Sequence, residues 1–284
     1  MSNNQNAPSA KTSPQQGTRR LVTLLLEVGL LLVLAFLVVS NWDAIKKVVR
    51  GDKDNHERPI PAEPAGDKVA EQDAAAKLEA FKDATGRAKY LVISERPDPD
   101  KPEKRVTCIN YKGAKIDDKT LELTARLYRI GTVIAADCNI TDDQLKYFSA
   151  LTALTSLVLT NTPITDAGLS HLRPLVNIET LYLGNTKVSD RGLDEVARLT
   201  TLKILDLSET KVTGDGMKKL LPLTDLNHLL LRDTAITDAG LEQLGQMKNL
   251  RRLSIQSPRT PPILKVTPQG IERLKKAIPA IIVD

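Results

Sequence analysis

Apolar and polar positions recur with one fixed spacing over more than half of this chain. Leu154 to Asn177, LTSLVLTNTPITDAGLSHLRPLVN, returns as IETLYLGNTKVSDRGLDEVARLTT, then LKILDLSETKVTGDGMKKLLPLTD, then LNHLLLRDTAITDAGLEQLGQMKN. The period is 24 residues without slippage from Leu154 to Asn249. In the first of these copies the first, fourth and sixth positions are Leu154, Leu157 and Leu159, the ninth is Thr162, and Ile164-Thr165 and Gly168-Leu169 follow. Two fainter copies precede it, from Val106 and from Ile130, and one follows from Leu250, interrupted by six extra residues before Val266. The repeats therefore begin at 106, 130, 154, 178, 202, 226 and 250. The outermost copies are atypical, as the caps of a stacked array are.

Alternation at Leu157-Val158-Leu159 predicts a short strand with one buried face. From position twelve the period changes to a helical one. Thr165, Ser189, Thr213, Thr237 and Thr267 are candidate N-caps. Pro268 follows in the first helical position, where a missing N–H costs nothing. Thr141 with Gln144 has capping-box spacing. Leu169 and Leu172 form a buried pair, and Pro174 and Pro222 end their helices. Neither element buries its apolar side alone, so stacked copies are expected to share one core, with a parallel sheet on one face and helices on the other.

The I-T-D-x-G-L run, with small polar residues at position nine (Cys138, Thr162, Thr186, Thr210, Thr234), resembles the cysteine-containing subclass of leucine-rich repeats. That subclass occurs in eukaryotic F-box adaptor proteins and in many bacterial proteins, membrane-anchored ones among them. The resemblance covers about 106–284 and implies an α/β fold, a horseshoe solenoid with its sheet inside and helices outside. No upstream segment reads as an F-box, so the ubiquitin-adaptor role is not implied. Position nine reads as scaffolding that bonds the backbone of neighbouring turns.

Upstream the pattern is different. Residues 1–20 are polar, a tail of disordered composition. From Leu21 to Ser40, fifteen of twenty residues are Leu, Val or Phe. These offer roughly −5 to −9 kcal/mol of insertion energy against at most about +3 for Glu27. A membrane helix over 21–42 is expected, long enough to span, with Trp42, Lys46 and Lys47 at its interface. A cleaved leader ending near Val38 and Ser40 is the competing reading. Arg19-Arg20 ahead of the span and a long downstream domain favour an extracytoplasmic repeat domain, although the charges after the span argue the other way. Residues 43–68 read as a charged, Pro-rich tether. Residues 69–105 read as a capping helix, with Ala74, Leu78 and Phe81 on one face, then a strand at Tyr90–Ile93 and a loop.

Chemistry is sparse. His56, His171 and His228 are scattered, and no Cys or His pair has ligand spacing, so neither a metal nor a cofactor is expected. No phosphate-binding glycine loop or nucleophile turn occurs, and the chain is read as a non-enzyme. Asp142, Asp166, Asp190 and Asp238 recur in the first helical turn, where negative charge suits the helix dipole. Cys108 and Cys138 fall too far apart for a disulfide. A net charge of +5 and 3% aromatic residues argue against nucleic-acid binding, and no small-molecule substrate is indicated.

A surface remains. Positions three, five and seven are expected to point out of the strands onto the concave face. Ile134, Val158 and Tyr182 would form an apolar strip, flanked by Ile204, Asp206, His228 and Leu230, with Arg232 and Arg252 as a basic end. Aromatic and arginine side chains are common interface anchors. The expectation is a membrane-anchored, single-pass protein-binding scaffold that captures a protein partner through this face. Self-association as a structural envelope protein, or donation of a residue to a partner enzyme, are the alternatives. The insertion Ser257–Leu264 is a second candidate binding element, and Ala280–Val283 reads as one last strand.

Overall fold

In the computed structural model, residues 68–79, 91–94, 106–256 and 265–284 are described. The tail, the apolar span 21–42, the tether, Phe81, the loop before Val106 and the insertion Ser257–Leu264 lie outside them. Among the described residues no helix is long and apolar enough to cross a membrane.

The strands form one nine-stranded sheet in strict chain order. The first two are β1 (Leu91–Ser94) and β2 (Val106–Asn110), followed by β3 (Thr132–Ile134), β4 (Ser156–Val158) and β5 (Thr180–Tyr182). Then come β6 (Ile204–Asp206), β7 (His228–Leu230), β8 (Arg252–Ser254) and β9 (Ile282–Val283). β1 pairs antiparallel with β2, and every later pairing is parallel. From β3 to β8 each strand occupies positions three to five of its repeat. Position four is buried, and its neighbours are half-buried from β3 to β7. The short final strand therefore continues the sheet across the insertion.

Helix α1 (Lys68–Glu79) packs against β1 and against α2 (Asp118–Ala125), and its Ala74 and Leu78 join the core. The remaining helices are shorter than the 3.6-residue pattern suggests. Asp143–Ala150, Gly168–Leu172 and Gly214–Leu220 are 3-10 helices; α3 (Leu193–Val196), α4 (Asp238–Leu244) and α5 (Pro268–Ala277) are α-helical. A 24-residue repeat leaves room for only one or two turns between strands, and 3-10 geometry suits short pieces. Leu157, Leu181, Leu205 and Leu229 from the strands and Leu169, Leu193, Met217 and Leu241 from the helical segments fill one continuous core.

Two turns hold each repeat to the next. Beyond the strands, the N–H of position six reaches the position-five carbonyl of the following copy, as in Leu159 to Tyr182 at 2.8 Å. The N–H of position eight reaches the position-seven carbonyl, as in Asn161 to Gly184 at 2.9 Å. This second bond requires a left-handed residue at position eight. Gly113, Asp137, Asn161, Asn185, Glu209 and Asp233 all have φ between 52° and 72°. Glycine, Asn and Asp are the residues that accept this conformation at least cost, and Glu209 is the exception.

Asp238 does sit in the first turn of α4 as expected, but the recurrent aspartates also hold the next repeat. Asp142 Oδ1 accepts from the Thr165 N–H at 2.8 Å and its Oδ2 accepts from the Thr165 hydroxyl at 2.5 Å. Asp166 does the same to Ser189, Asp190 to Thr213, and Asp238 to Thr267. Each carboxylate thus clasps position twelve of the next repeat. The glycine at position fifteen makes room for it: a Cβ on Gly192 would stand 2.5 Å from Asp166 Oδ1, and one on Gly216 would stand 2.2 Å from Asp190 Oδ1. In T-D-x-G, Thr is gripped from behind, Asp grips ahead, and Gly leaves space. Two rungs depart from this: Asp118 accepts from the Gln144 amide at 2.6 Å while the Thr141 N–H donates to Gln144, and the fifth repeat has no aspartate to offer. Position thirteen of the fifth repeat is Gly214, and a Cβ there would meet the Thr237 hydroxyl at 2.5 Å.

The capping expectations are met unevenly. Thr213, Thr237 and Thr267 cap with their hydroxyls. Thr165 and Ser189 also accept from the N–H two residues on, as Thr213 does, but their helical turns begin later, at Gly168 and Leu193. Gln144 accepts from the Thr141 N–H at 3.1 Å, one limb of the capping box. At position nine Thr162, Thr186, Thr210 and Thr234 donate to the carbonyl three residues back in their own turn. Only Cys138 reaches the preceding repeat, with its sulfur 3.0 Å from the Tyr111 carbonyl oxygen. Cys138 also reaches the Ala136 carbonyl of its own turn, at 3.3 Å.

Candidate functional site

The sheet face opposite the helices is built from two registered rows of side chains. Parallel pairing without slippage places Ile134, Val158, Tyr182, Asp206, Leu230 and Ser254 directly beside one another. The neighbouring row runs Thr132, Ser156, Thr180, Ile204, His228, Arg252 and Ile282. Adjacent strands lie about 4.8 Å apart, so row neighbours touch or nearly touch. The apolar trio Ile134, Val158 and Tyr182 is contiguous, and Ile204, His228, Leu230 and Arg252 form a second block that begins on the next strand, β6.

Position seven behaves differently from the expectation that it points outward throughout. Thr160 and Ser208 are half-buried and Arg232 is exposed, but Ala136 and Gly184 are buried. The strands end at position five and the backbone turns inward for the left-handed residue at position eight, so only longer side chains at position seven reach the face.

Charge is divided along the face. The Asp206 carboxylate accepts from the Ser208 N–H at 2.9 Å, and its other oxygen would stand 2.9 Å from a Cβ on Gly184. Burial, and then the Asp206 charge, push the Tyr182 hydroxyl above the ordinary tyrosine value. At the other end the basic character is partly neutralised. Arg252 lies 3.9 Å from the Asp284 carboxylate, which also accepts from the Ser254 hydroxyl at 2.8 Å. His228 is held below the ordinary histidine value, first by burial and then by Arg252, with Asp284 opposing and Arg232 adding to the shift. A neutral imidazole suits this setting.

Elsewhere the chemistry stays quiet. Cys138 is buried and Cys108 half-buried, both as free thiols, and burial raises both above the ordinary thiol value. His171 sits in the 3-10 helix Gly168–Leu172, away from the sheet face, and His56 lies outside the described residues. Among the described residues no group of three His, Cys, Asp or Glu side chains is placed to hold a metal ion. The left-handed residues at position eight form an amide ladder beside the face, with Asn185 donating to Asn161 at 2.8 Å and Asn161 to Asp137 at 2.6 Å. Sequence reasoning passed over this ladder, although the recurring Asp/Asn at position eight signalled it.

The leucine-rich repeat family model matches residues 150–172 and 198–221. No curated protein sequence matches the chain. Among solved structures, an internalin from Listeria monocytogenes is 24% identical over 62% of this chain, with a TM-score of 0.50. A leucine-rich repeat protein from Leptospira interrogans is 18% identical over 63% of this chain, with a TM-score of 0.45. The matched region spans about half of each, 46% and 48% of their lengths. At such identity the internalin likeness speaks for the fold alone. The unbroken 24-residue period, the single sheet in chain order and the family match agree: the chain is a leucine-rich repeat protein.

Proposed function

We propose that this protein is a membrane-anchored scaffold that binds a protein partner through its open sheet face, by binding and not by catalysis. The repeat fold supports a protein-binding module. The observation that carries the reading is the register. Nine side chains spread over 119 residues of sequence, from Ile134 to Arg252, fall into two adjoining rows with one short step to Arg232. Aromatic, aliphatic and arginine groups there form a mixed apolar and charged surface of the kind that anchors protein interfaces.

The test uses the full chain in its native membrane, with a photo-cross-linking amino acid at Ile134 or Val158. A control probe goes at Val176, which is 59% exposed and lies off the strands. The expected result is one discrete heavier adduct from the two face positions and none from Val176. Equal labelling at all three, or none at any, overturns the binding role of the face.

Anchorage through 21–42 and an extracytoplasmic repeat domain belong to the same proposal, supported by the hydropathy of that stretch and the Arg-Arg pair before it. Protease cleavage of a C-terminal tag after opening only the outer envelope is expected. Cleavage only after lysis of the inner membrane places the repeats on the other side.

A further inference from the structure

We propose that Tyr182 and Asp206, with Gly184 beside them, form a seat for an arginine side chain of the partner; this rests on the binding role proposed for the sheet face. Tyr182 and Asp206 are register partners on β5 and β6. The Asp206 carboxylate is held in place by the Ser208 N–H on one oxygen, while the other lies across the bare backbone of Gly184. A side chain at 184 would stand 2.9 Å or less from that oxygen and move it. The glycine has no left-handed φ to explain it, so the lack of a Cβ serves the position of the carboxylate. Asp206 is half-exposed, and among the described residues it forms no salt bridge.

A carboxylate next to an aromatic ring recognises a cation. Guanidinium suits the pair better than ammonium, because it stacks on the ring while its N–H fork meets the carboxylate. The surroundings say which segment carries it. On one side lie Ile134 and Val158, which favour apolar neighbours. On the other lie Arg232 and Arg252, which repel a second cation. The occupant is a partner segment with one arginine between apolar residues and no further positive charge toward β8.

The test uses the full chain in detergent micelles, labelled with fluorotyrosine and observed by fluorine NMR. The Tyr182 resonance is assigned from its loss in Tyr182→Phe. The probes are the tripeptide acetyl-Val-Arg-Val-amide and its glutamine counterpart. The arginine peptide should move the Tyr182 resonance and the glutamine peptide should not. Asp206→Asn should weaken the arginine peptide about three- to tenfold, the range of a partly exposed charge-assisted bond. Gly184→Ala should weaken it too, because the charge is kept but the carboxylate is displaced. Equal shifts by the two peptides, or unchanged affinity in either variant, overturn the seat. Face-specific cross-linking combined with a failed peptide titration sinks the seat alone. Absence of face-specific cross-linking sinks the binding role beneath it.

Discussion

The Asp–Thr clasp and the open sheet face run side by side through the same repeats, yet one is nearly uniform and the other changes at every rung. The clasp reads Asp142–Thr165, Asp166–Ser189, Asp190–Thr213 and Asp238–Thr267. The row at position five reads Ile134, Val158, Tyr182, Asp206, Leu230 and Ser254. Both are set by the same 24-residue period. A side chain whose partner is the next copy of itself has only one chemistry that works. One that faces away from every copy is released from that constraint. Uniformity within the chain therefore marks what stacks the repeats, and variation marks what is free to specify a partner.

Breaking the stack should have the largest effect. Leu181→Ala removes a fully buried strand side chain and should cost about 2–5 kcal/mol by the lost transfer energy and the cavity left behind. The denaturant midpoint should fall with little change in slope. A cost well under about 1 kcal/mol would mean that neighbouring repeats close over the gap and that the core is softer than its burial indicates.

The clasp comes next. Asp166→Ala leaves the Ser189 N–H and hydroxyl without their carboxylate, an expected loss of about 1–3 kcal/mol. The missing rung at Gly214 supplies the control. Gly214→Asp restores the sequence pattern, but its Cβ would press on Thr237, so it should destabilise too. If Gly214→Asp stabilises, the glycine is a defect in the ladder and not a fitted element of it.

How much of this was legible beforehand differs between the two regions. The strands, their parallel stacking and the buried position four followed from Leu157-Val158-Leu159 and the period alone. The row at position five could be written down rung by rung, since a solenoid without slippage turns sequence spacing directly into spatial register. The clasp is not legible within a single repeat. Asp142 looked like a first-turn residue because its partner, Thr165, lies 23 positions away, and a one-repeat view sees only the local helix. The same limit hid the reason for Gly192, whose space belongs to the aspartate of the repeat before. The helices were overestimated because an amphipathic pattern does not distinguish a 3-10 turn from an α-helical one over five residues. Asp284 escaped attention as a partner for Arg252 because the inserted residues break the period that would have aligned them.

The clasp also has a pH signature. Hydrogen bonds from the Thr267 hydroxyl and N–H, helped by Arg273, hold Asp238 below the ordinary carboxylate value. A depressed folded-state pKa gives stability that is complete above the unfolded value near about 4 and is lost as pH falls through the lowered folded value. Thermal midpoints measured from neutral pH downward should fall in that acid window, and Asp238→Asn should flatten the fall. Thr267→Val should raise the Asp238 pKa toward the ordinary value. An unchanged pKa in Thr267→Val would show that Arg273, 3.3 Å away, and not the clasp, sets it.

The sheet face should show the smallest effect on stability. Arg232 is exposed, so Arg232→Glu should change the unfolding free energy by no more than about 0.5 kcal/mol. Its influence should appear on a neighbour. Arg232 contributes to holding His228 low, behind burial and Arg252, so reversing its charge should raise the His228 pKa in an NMR titration. For a histidine with a lowered folded-state pKa, the unfolded chain takes up the proton first. Stability then declines as pH drops from about 6.5 to the folded value. Arg232→Glu should narrow that window from below while leaving the neutral-pH midpoint in place. A shifted midpoint with an unmoved His228 would invert the comparison. Arg232 would then be part of what stacks the repeats, and the basic end of the face would lose its claim to be free for a partner.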